Sequence, residues 1–463
     1  MPTEQEFEYT GIGLAPEKPS SLPTFIEENS LALGVSRSWV HRIFHRMAFG
    51  KEARVWSFTD QAAVSLGNFL TNLLLARKLA PNEFGVYAIL LGIMLFFYGA
   101  HGALVTYPLS VRGASMSKEA LRSLTAFSLR ITAAISLPFG AALVIASLMF
   151  ESVSVGLWAA AAMTFWIIQE TLRRGLMAHL RFRDASWGDT ISYLGQTVLV
   201  LLLALTGWLS VKTAFCAMAI TSLSAAGIQA SQLGIWKRQA QEAFSWLGDY
   251  WNLGRWMLLN NFAGIFSVQF FPWALALFHG TSAAGAFQAL TNVLGVTNPI
   301  VFSTVSLILP ACARACKDNG VEAAWKIAKR YAIQSGLLLS PFFVATLIWP
   351  ERILGLFYGH HSTYIGFTSE LRMLTIAGVI NYLAVVMAAL FSAIEDSRTT
   401  FLVLLVSAFG SFLVGAPLVA WKGVWGAAGA LLIGALLRTT ISRILLHRNW
   451  HASKKEIPQC QGS

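Results

Sequence analysis

Long apolar stretches separated by short polar turns run through most of the chain. They fall at about 55–76, 84–110, 124–149, 156–175, 187–209, 212–235, 255–278, 281–309, 331–350, 369–394, 399–421 and 424–446. Each is of the length that crosses the hydrocarbon core of a bilayer as a helix, roughly 20 residues. None alternates strictly between apolar and polar positions as a barrel strand would. The pattern predicts an all-α polytopic membrane protein with about twelve transmembrane helices. Ahead of them, residues 31–50 carry Val35, Trp39, Ile43 and Met47 at four-residue spacing, with Arg37, His41, Arg42, His45 and Arg46 between. That is the signature of a basic amphipathic helix lying on a membrane surface. Residues 1–30 are acidic, contain Pro, Ser and Gly, and are expected to be a disordered tail.

Composition agrees with this reading. Of the 463 residues 55% are hydrophobic and 12% charged, about half the charged fraction of soluble globular domains. An ordinary soluble enzyme, a disordered protein and a nucleic-acid-binding domain are excluded. The net charge of +11 is uneven, because residues 1–30 hold six Glu against one Lys. The even number of spans puts both termini on one side. Loops and tails on that side hold 27 Lys and Arg, and those on the other hold 6. By the positive-inside bias both termini are expected in the cytoplasm. The longest outward loop, 350–368, is too short for a domain with paired acids, which argues against a membrane sugar polymerase. Cys216, Cys312, Cys316 and Cys460 lack the partners of a zinc site and read as free thiols. No Walker A, HExxH or GxSxG motif occurs, so no catalytic residue, metal or cofactor is assigned.

Two stretches about 200 residues apart are alike. NEFGVYA (82–88) is followed by Pro108 and Arg112 and then Glu119-Ala120; SAAGAFQ (282–288) is followed by Pro310 and Arg314 and then Glu322-Ala323. The Gly-to-Pro spacings are 23 and 25. The repeat maps segments 1–6 onto segments 7–12 in the same direction, as in a parallel duplication. It predicts two six-helix lobes, 55–235 and 255–446, around a central cavity, with a cytoplasmic tail at 447–463; one unsymmetrical bundle is the alternative.

Polar stripes run along several spans. Gln61, Ser65, Asn68 and Asn72 share one face of segment 1, and Asp189, Tyr193 and Gln196 one face of segment 5. Asn260, Gly264 and Ser267 do so in segment 7, and Gly285, Gln288, Asn292 and Gly295 in segment 8. Polar groups facing lipid are costly, so such stripes line either a wet cavity or a helix–helix contact. Charges in or near the spans are few: Asp60, Arg130, Glu170, Arg173, Arg174, Asp189, Arg255 and Arg438. Glu170 and Arg174, at i,i+4, are expected to satisfy each other. Asp60 caps its helix or pairs with an Arg across the lobes. Each single Arg either snorkels to the headgroups or meets an anion, for which its fork is well suited.

The segment TDQAAVSLGNFLTNLLLARKLAPNEFGVYAILL (59–91) resembles the start of bacterial polysaccharide flippases. These belong to the multidrug/oligosaccharidyl-lipid/polysaccharide exporter superfamily. The resemblance rests on Asp-Gln, then Asn-Phe, then Ala-Arg, then Glu-Phe-Gly-x-Tyr, with the region from NNFAGIFSVQFF to LPACAR (260–314) as its second-half counterpart. It implies alternating access by two lobes and an undecaprenyl-diphosphate-linked oligosaccharide as substrate. The site would comprise Asp60, Gln61, Asn68, Asn261, Gln288 and Asn292 toward sugar, with a coupling proton or sodium ion at Asp60 left open. Arg130 and Arg255 would face the diphosphate, with Arg438 third. Membrane lipids and polysaccharide polymerase or assembly proteins are the implied partners, with no nucleic acid, and the bacterial inner membrane is the implied location. An ion-coupled exporter of drugs or metabolites, from the same superfamily, is the alternative.

Overall fold

In the computed structural model the described backbone comprises residues 37–150, 152–236, 246–393 and 397–455. The expected tail 1–30 and the last residues of 447–463 lie outside it, as does Cys460. The chain divides into Met1–Arg54 and Val55–Ser463. In the first unit the described backbone, from Arg37, is helical. The second unit holds the helical bundle.

The helices are α1 (Arg37–Lys78), α2 (Pro81–Gly113), α3 (Lys118–Leu148), α4 (Val153–Ala178), α5 (Phe182–Leu205) and α6 (Val211–Leu233), then α7 (Trp246–His279), α8 (Thr281–Asp318), α9 (Gly320–Ile348) and α10 (Thr363–Ala393). A final run, Ser397–Lys455, breaks at Gly423 into α11 (397–422) and α12 (424–455). Ten helical runs among the described residues are long and apolar enough to cross a membrane. The last of them, Leu402–Leu446, has 45 residues, or about 68 Å of helix, twice the core of a bilayer. Gly423 (φ 58°) reverses it, so that Gly426 meets Leu418 and Gly434 meets Ser411 in an antiparallel hairpin. Gly320 (φ 77°) does the same between α8 and α9. The segment of α1 from Val55 is not among the ten, because Gln61, Asn68 and Asn72 lower its hydropathy. With it the all-helical chain makes the twelve passes that its pattern predicts. The expected outer loop 350–368 contains a short helix, Pro350–Tyr358, that buries Leu354 and Tyr358.

The ends of α2, α4, α6, α8 and α10 and the starts of α3, α5, α7, α9 and α11 share one end of the bundle with the start of the α1 span; this is the terminal end. Exposed tryptophans mark both ends: Trp236, Trp251 and Trp256 at the terminal end, Trp208 and Trp421 at the opposite one. Indole rings favour this depth, where a membrane meets water.

The repeated motifs touch. A Cβ on Gly85 would stand 1.8 Å from the Thr281 carbonyl oxygen, and one on Gly285 would stand 2.4 Å from that of Pro81. Equivalent positions of the two halves thus pack reciprocally, backbone on backbone, as at a two-fold axis. Side chains there would force α2 and α8 apart. Around this seam one buried cluster joins the halves, with Phe84, Tyr87, Met163 and Phe215 from the first and Phe271, Phe287, Leu290 and Leu371 from the second.

At the terminal end α7 leans on the first half. Tyr250 hydroxyl lies 2.8 Å from Ser128 Oγ, Trp246 meets the Phe127 ring edge-on, and Arg112 grips Asp249 with Nε and Nη2 at 2.7 and 2.5 Å. Gly85→Leu and Gly285→Leu should each lower the thermal stability of the purified protein, by the roughly 1–3 kcal/mol of an overpacked contact. Gly264→Leu, where a Cβ meets nothing within 4 Å, should not.

Candidate functional site

Arg173 stands at the centre of a buried charge cluster. It lies five residues before the end of α4, about 7.5 Å in from the terminal end. Its Nη2 donates to Asp60 Oδ2 at 2.6 Å, its Nη1 to Glu170 Oε2 at 3.2 Å, and its Nε to Asp189 Oδ2. Arg174 Nε completes the shell at 2.6 Å from Glu170 Oε1, the pair expected from spacing. Gln169 donates to Asp189 Oδ1 at 2.7 Å, and Gln229 of α6 donates to the Ala185 carbonyl at 3.2 Å. Asp60, Glu170 and Asp189 are no more than 2% exposed. Helical spacing puts Gln169, Glu170, Arg173 and Arg174 of α4 against α1 and α5. Asp60 pairs with an arginine of its own half, which corrects the cross-lobe alternative. Charges at this depth persist only when paired. Three carboxylates meet two guanidiniums here.

Beyond the cluster, toward the opposite end, a cavity of about 260 Å³ opens inside the first half. Asn68, Asn72, Tyr193, Gln196 and Ser222 line it, and Gln288 reaches it from α8. Trp166 Nε1 donates to the Tyr193 hydroxyl at 3.0 Å and Thr71 bonds Thr197 at 2.9 Å, which fixes the wall. Among the described residues no charged side chain lines this cavity.

A second cavity, of about 440 Å³, lies inside the second half between α7 and α12. Its polar lining includes Ser267, Asn298, Asn381, Ser407 and Ser411, and Arg438 is its single charged residue among the described residues. Arg438 Nη1 donates to Asn381 Oδ1 at 3.3 Å. No carboxylate approaches it among the described residues.

The expected site residues therefore separate. Asn68 and Gln288 share the first cavity, while Asp60 belongs to the ion cluster. Gln61 is exposed, with Nε2 3.4 Å from Ser65 Oγ. Asn261 Nδ2 donates to the Gly99 carbonyl at 3.0 Å and so ties α7 to α2. Asn292 is half-buried on α8 and lines neither cavity. Arg130 and Arg255 are exposed and have no carboxylate partner among the described residues; Arg255 lies over the Trp256 ring at 5.8 Å. Two groups had weaker signals. Arg438 stands alone in an otherwise apolar run, and small Gly434 and Ala435 precede it. His101 interrupts the apolar run of α2 at the start of a π-helical turn, Gly102–Thr106, and its Nε2 lies 3.1 Å from both Thr132 and Thr171.

Arg173→Met should prevent stable assembly or cost about 3–5 kcal/mol, since it strands buried carboxylates. Adding Asp60→Asn and Asp189→Asn should restore much of the loss. Thermal unfolding in detergent reads both, and a single variant as stable as the parent would show that the cluster is not structural.

No protein-family model matches the chain, and no curated protein matches it in sequence. Solved structures do. An inward-facing multidrug resistance transporter of the MATE family, in the MOP superfamily, superposes with a TM-score of 0.70 at 14% identity, covering 88% of this chain and 99% of its own. The lipid II flippase MurJ in an inward closed conformation gives 0.70 at 14% identity, over 85% of this chain and 87% of its own. A MOP superfamily transporter from Pyrococcus furiosus, described as having a binding pocket of reverse polarity, gives 0.55 at 13% identity, over 85% and 94%. The multi-pass helical chain thus has the two-lobed fold of MOP superfamily transporters.

Proposed function

We propose that the protein is a flippase of the bacterial inner membrane that carries undecaprenyl-diphosphate-linked oligosaccharide units outward for surface polysaccharide synthesis. Transport proceeds by alternating access, with both termini in the cytoplasm. The observation that carries this reading is the polarity of the cavities. Among the described residues neither is lined by Asp or Glu, and the larger presents the lone guanidinium of Arg438 among Asn and Ser side chains. A guanidinium without a carboxylate suits phosphate oxygens. Amides and hydroxyls suit sugar. Moving such a headgroup through hydrocarbon would break its hydrogen bonds at several kcal/mol each, and a polar interior avoids that cost. The likeness of fold to a lipid II flippase supports the same reading.

The second reading, a cation-coupled exporter, draws on the excess carboxylate at Asp60, Glu170 and Asp189. Those acids contact arginine rather than either cavity, so a proton or sodium ion there would drive transport rather than be its cargo.

Deletion of the gene should abolish surface polysaccharide and leave complete lipid-linked units on the inner leaflet, measured with radiolabelled intermediates. Normal polymer with altered sensitivity to cationic drugs would favour the exporter. In the same assay Arg438→Gln should lower polymer about 10- to 100-fold at normal protein level, the worth of one charged hydrogen bond, and Arg438→Lys less. A reporter fused after Ser463 should read cytoplasmic; a periplasmic signal would overturn the orientation.

A further inference from the structure

A third cavity, of about 710 Å³, lies at the terminal end of the first half, away from both transport cavities. Four chain segments bound it: the α2–α3 turn at Ala114, the first turns of α3, the end of α4 with the turn after it, and Leu233 of α6. Lys118, Arg122, His179 and Arg181 line it, and among the described residues no Asp or Glu does.

These cations are only partly used. Lys118 has no partner among the described residues. Arg122 spends one N–H, Nε, on the Leu233 carbonyl at 2.9 Å. Arg181 gives Nη1 to the Gln232 carbonyl at 3.1 Å and both Nε and Nη2 to Asp184, outside the lining, at 2.7 and 2.6 Å, so its charge is already paired. His179 Nε2 donates to the Met116 carbonyl at 3.0 Å. The N-terminus of α3, capped by Ser117, adds the positive end of its dipole.

The backbone is also committed to this arrangement. Leu180, between His179 and Arg181, sits in the left-handed region at φ 58°, which costs a non-glycine residue about 1–2 kcal/mol. Bonds to the last carbonyls of α6 account for one N–H on Arg122 and one on Arg181. They do not account for the remaining N–H groups of Arg122, for the unpaired Lys118, or for a space of this volume whose charged lining, among the described residues, is cationic.

We propose that this cavity binds a phosphate ester, held by Lys118 and Arg122, with the Asp184-paired Arg181 beside them. It lies among helix ends at the terminal end of the bundle, and a basic pocket there suits the phosphate of an anionic phospholipid; a soluble phosphate offers the same chemistry. The proposal does not rest on the transport reading.

The test uses the purified full-length chain in nanodiscs of phosphatidylcholine, with or without about a fifth of phosphatidylglycerol or cardiolipin. A parallel set receives inorganic phosphate on phosphatidylcholine alone. Retained lipid by native mass spectrometry and the shift of the unfolding temperature are measured. The parent should bind and be stabilised. Lys118→Gln should bind about fivefold more weakly and Lys118→Gln with Arg122→Gln about 25-fold, near 1 kcal/mol per lost charge. Arg183→Gln, outside the lining, should match the parent. Binding in the lipid set alone identifies a headgroup; binding in the phosphate set identifies a soluble ligand. Lys118 is exposed and unpartnered, so its variant folds even if Arg122→Gln does not. Absence of binding in both sets, or equal binding by the parent and Lys118→Gln, would overturn the proposal.

Discussion

The first half is organised by one guanidinium. Arg173 touches acids from α1, α4 and α5, and through Asp189 and Gln169 its contacts reach the hydrogen-bonded floor next to α6. In water such pairs contribute little. Inside a membrane bundle an unpaired charge is costly, and so the rotation of each helix about its axis is set by the need to deliver its acid to Arg173. That rotation fixes where the next polar residues point. Asn68 and Asn72 follow Asp60 by 8 and 12 residues, and Tyr193 and Gln196 follow Asp189 by 4 and 7. These residues therefore meet in one cavity rather than face lipid. A π-helical turn, Thr190–Leu194, lies between Asp189 and Gln196 and adjusts the register by which α5 serves both the cluster and the wall.

The two halves repeat in sequence but not in electrostatics. Gly85 and Gly285 are equivalent and meet across the seam, where only glycine allows the backbones so close. Arg112 and Arg314 are equivalent too, yet Arg112 pairs with Asp249 while Arg314 is exposed. The interior of the first half uses its charges on one another. That of the second half offers Arg438 with no acid. Duplication thus supplied two similar scaffolds, and the chemistry diverged between them.

Much of this was legible in the pattern of residues. Twelve apolar segments, their shared polar faces and the Gly motif sufficed for an all-α, two-lobed membrane fold. The Glu170–Arg174 pair followed from spacing alone. The partner of Asp60 did not, because Arg173 is 113 residues away and periodicity relates positions only within one helix. That Arg130 and Arg255 are exposed while Arg438 lines a cavity was hidden for a similar reason. Depth along a helix can be read from a sequence, but which side faces a cavity depends on neighbours. In the second half it is the small residues of α10, α11 and α12, such as Gly378, Ala408 and Gly434, that leave room around Arg438.

The contacts that hold the halves together differ at the two ends. At the opposite end the seam is backbone against backbone, with Phe84 and Phe287 buried beside it. At the terminal end the bidentate Arg112–Asp249 pair is 47% and 34% exposed, and an ion pair so open to solvent contributes little. What holds that end is α7, whose Trp246 and Tyr250 pack on α3 of the first half while its Phe271 and Leu275 are buried in the cluster beside Pro272. One helix is therefore shared by both halves, with a proline close to its second attachment. Pro272 cannot donate an N–H to the turn before it, so α7 is weakest in the turn that leads into that attachment. Any change in the distance between the halves at the terminal end must bend α7 near Pro272 or strip its contacts with the first half, Tyr250 with Ser128 and Asn261 with the Gly99 carbonyl, whereas the glycine seam can act as the fixed pivot.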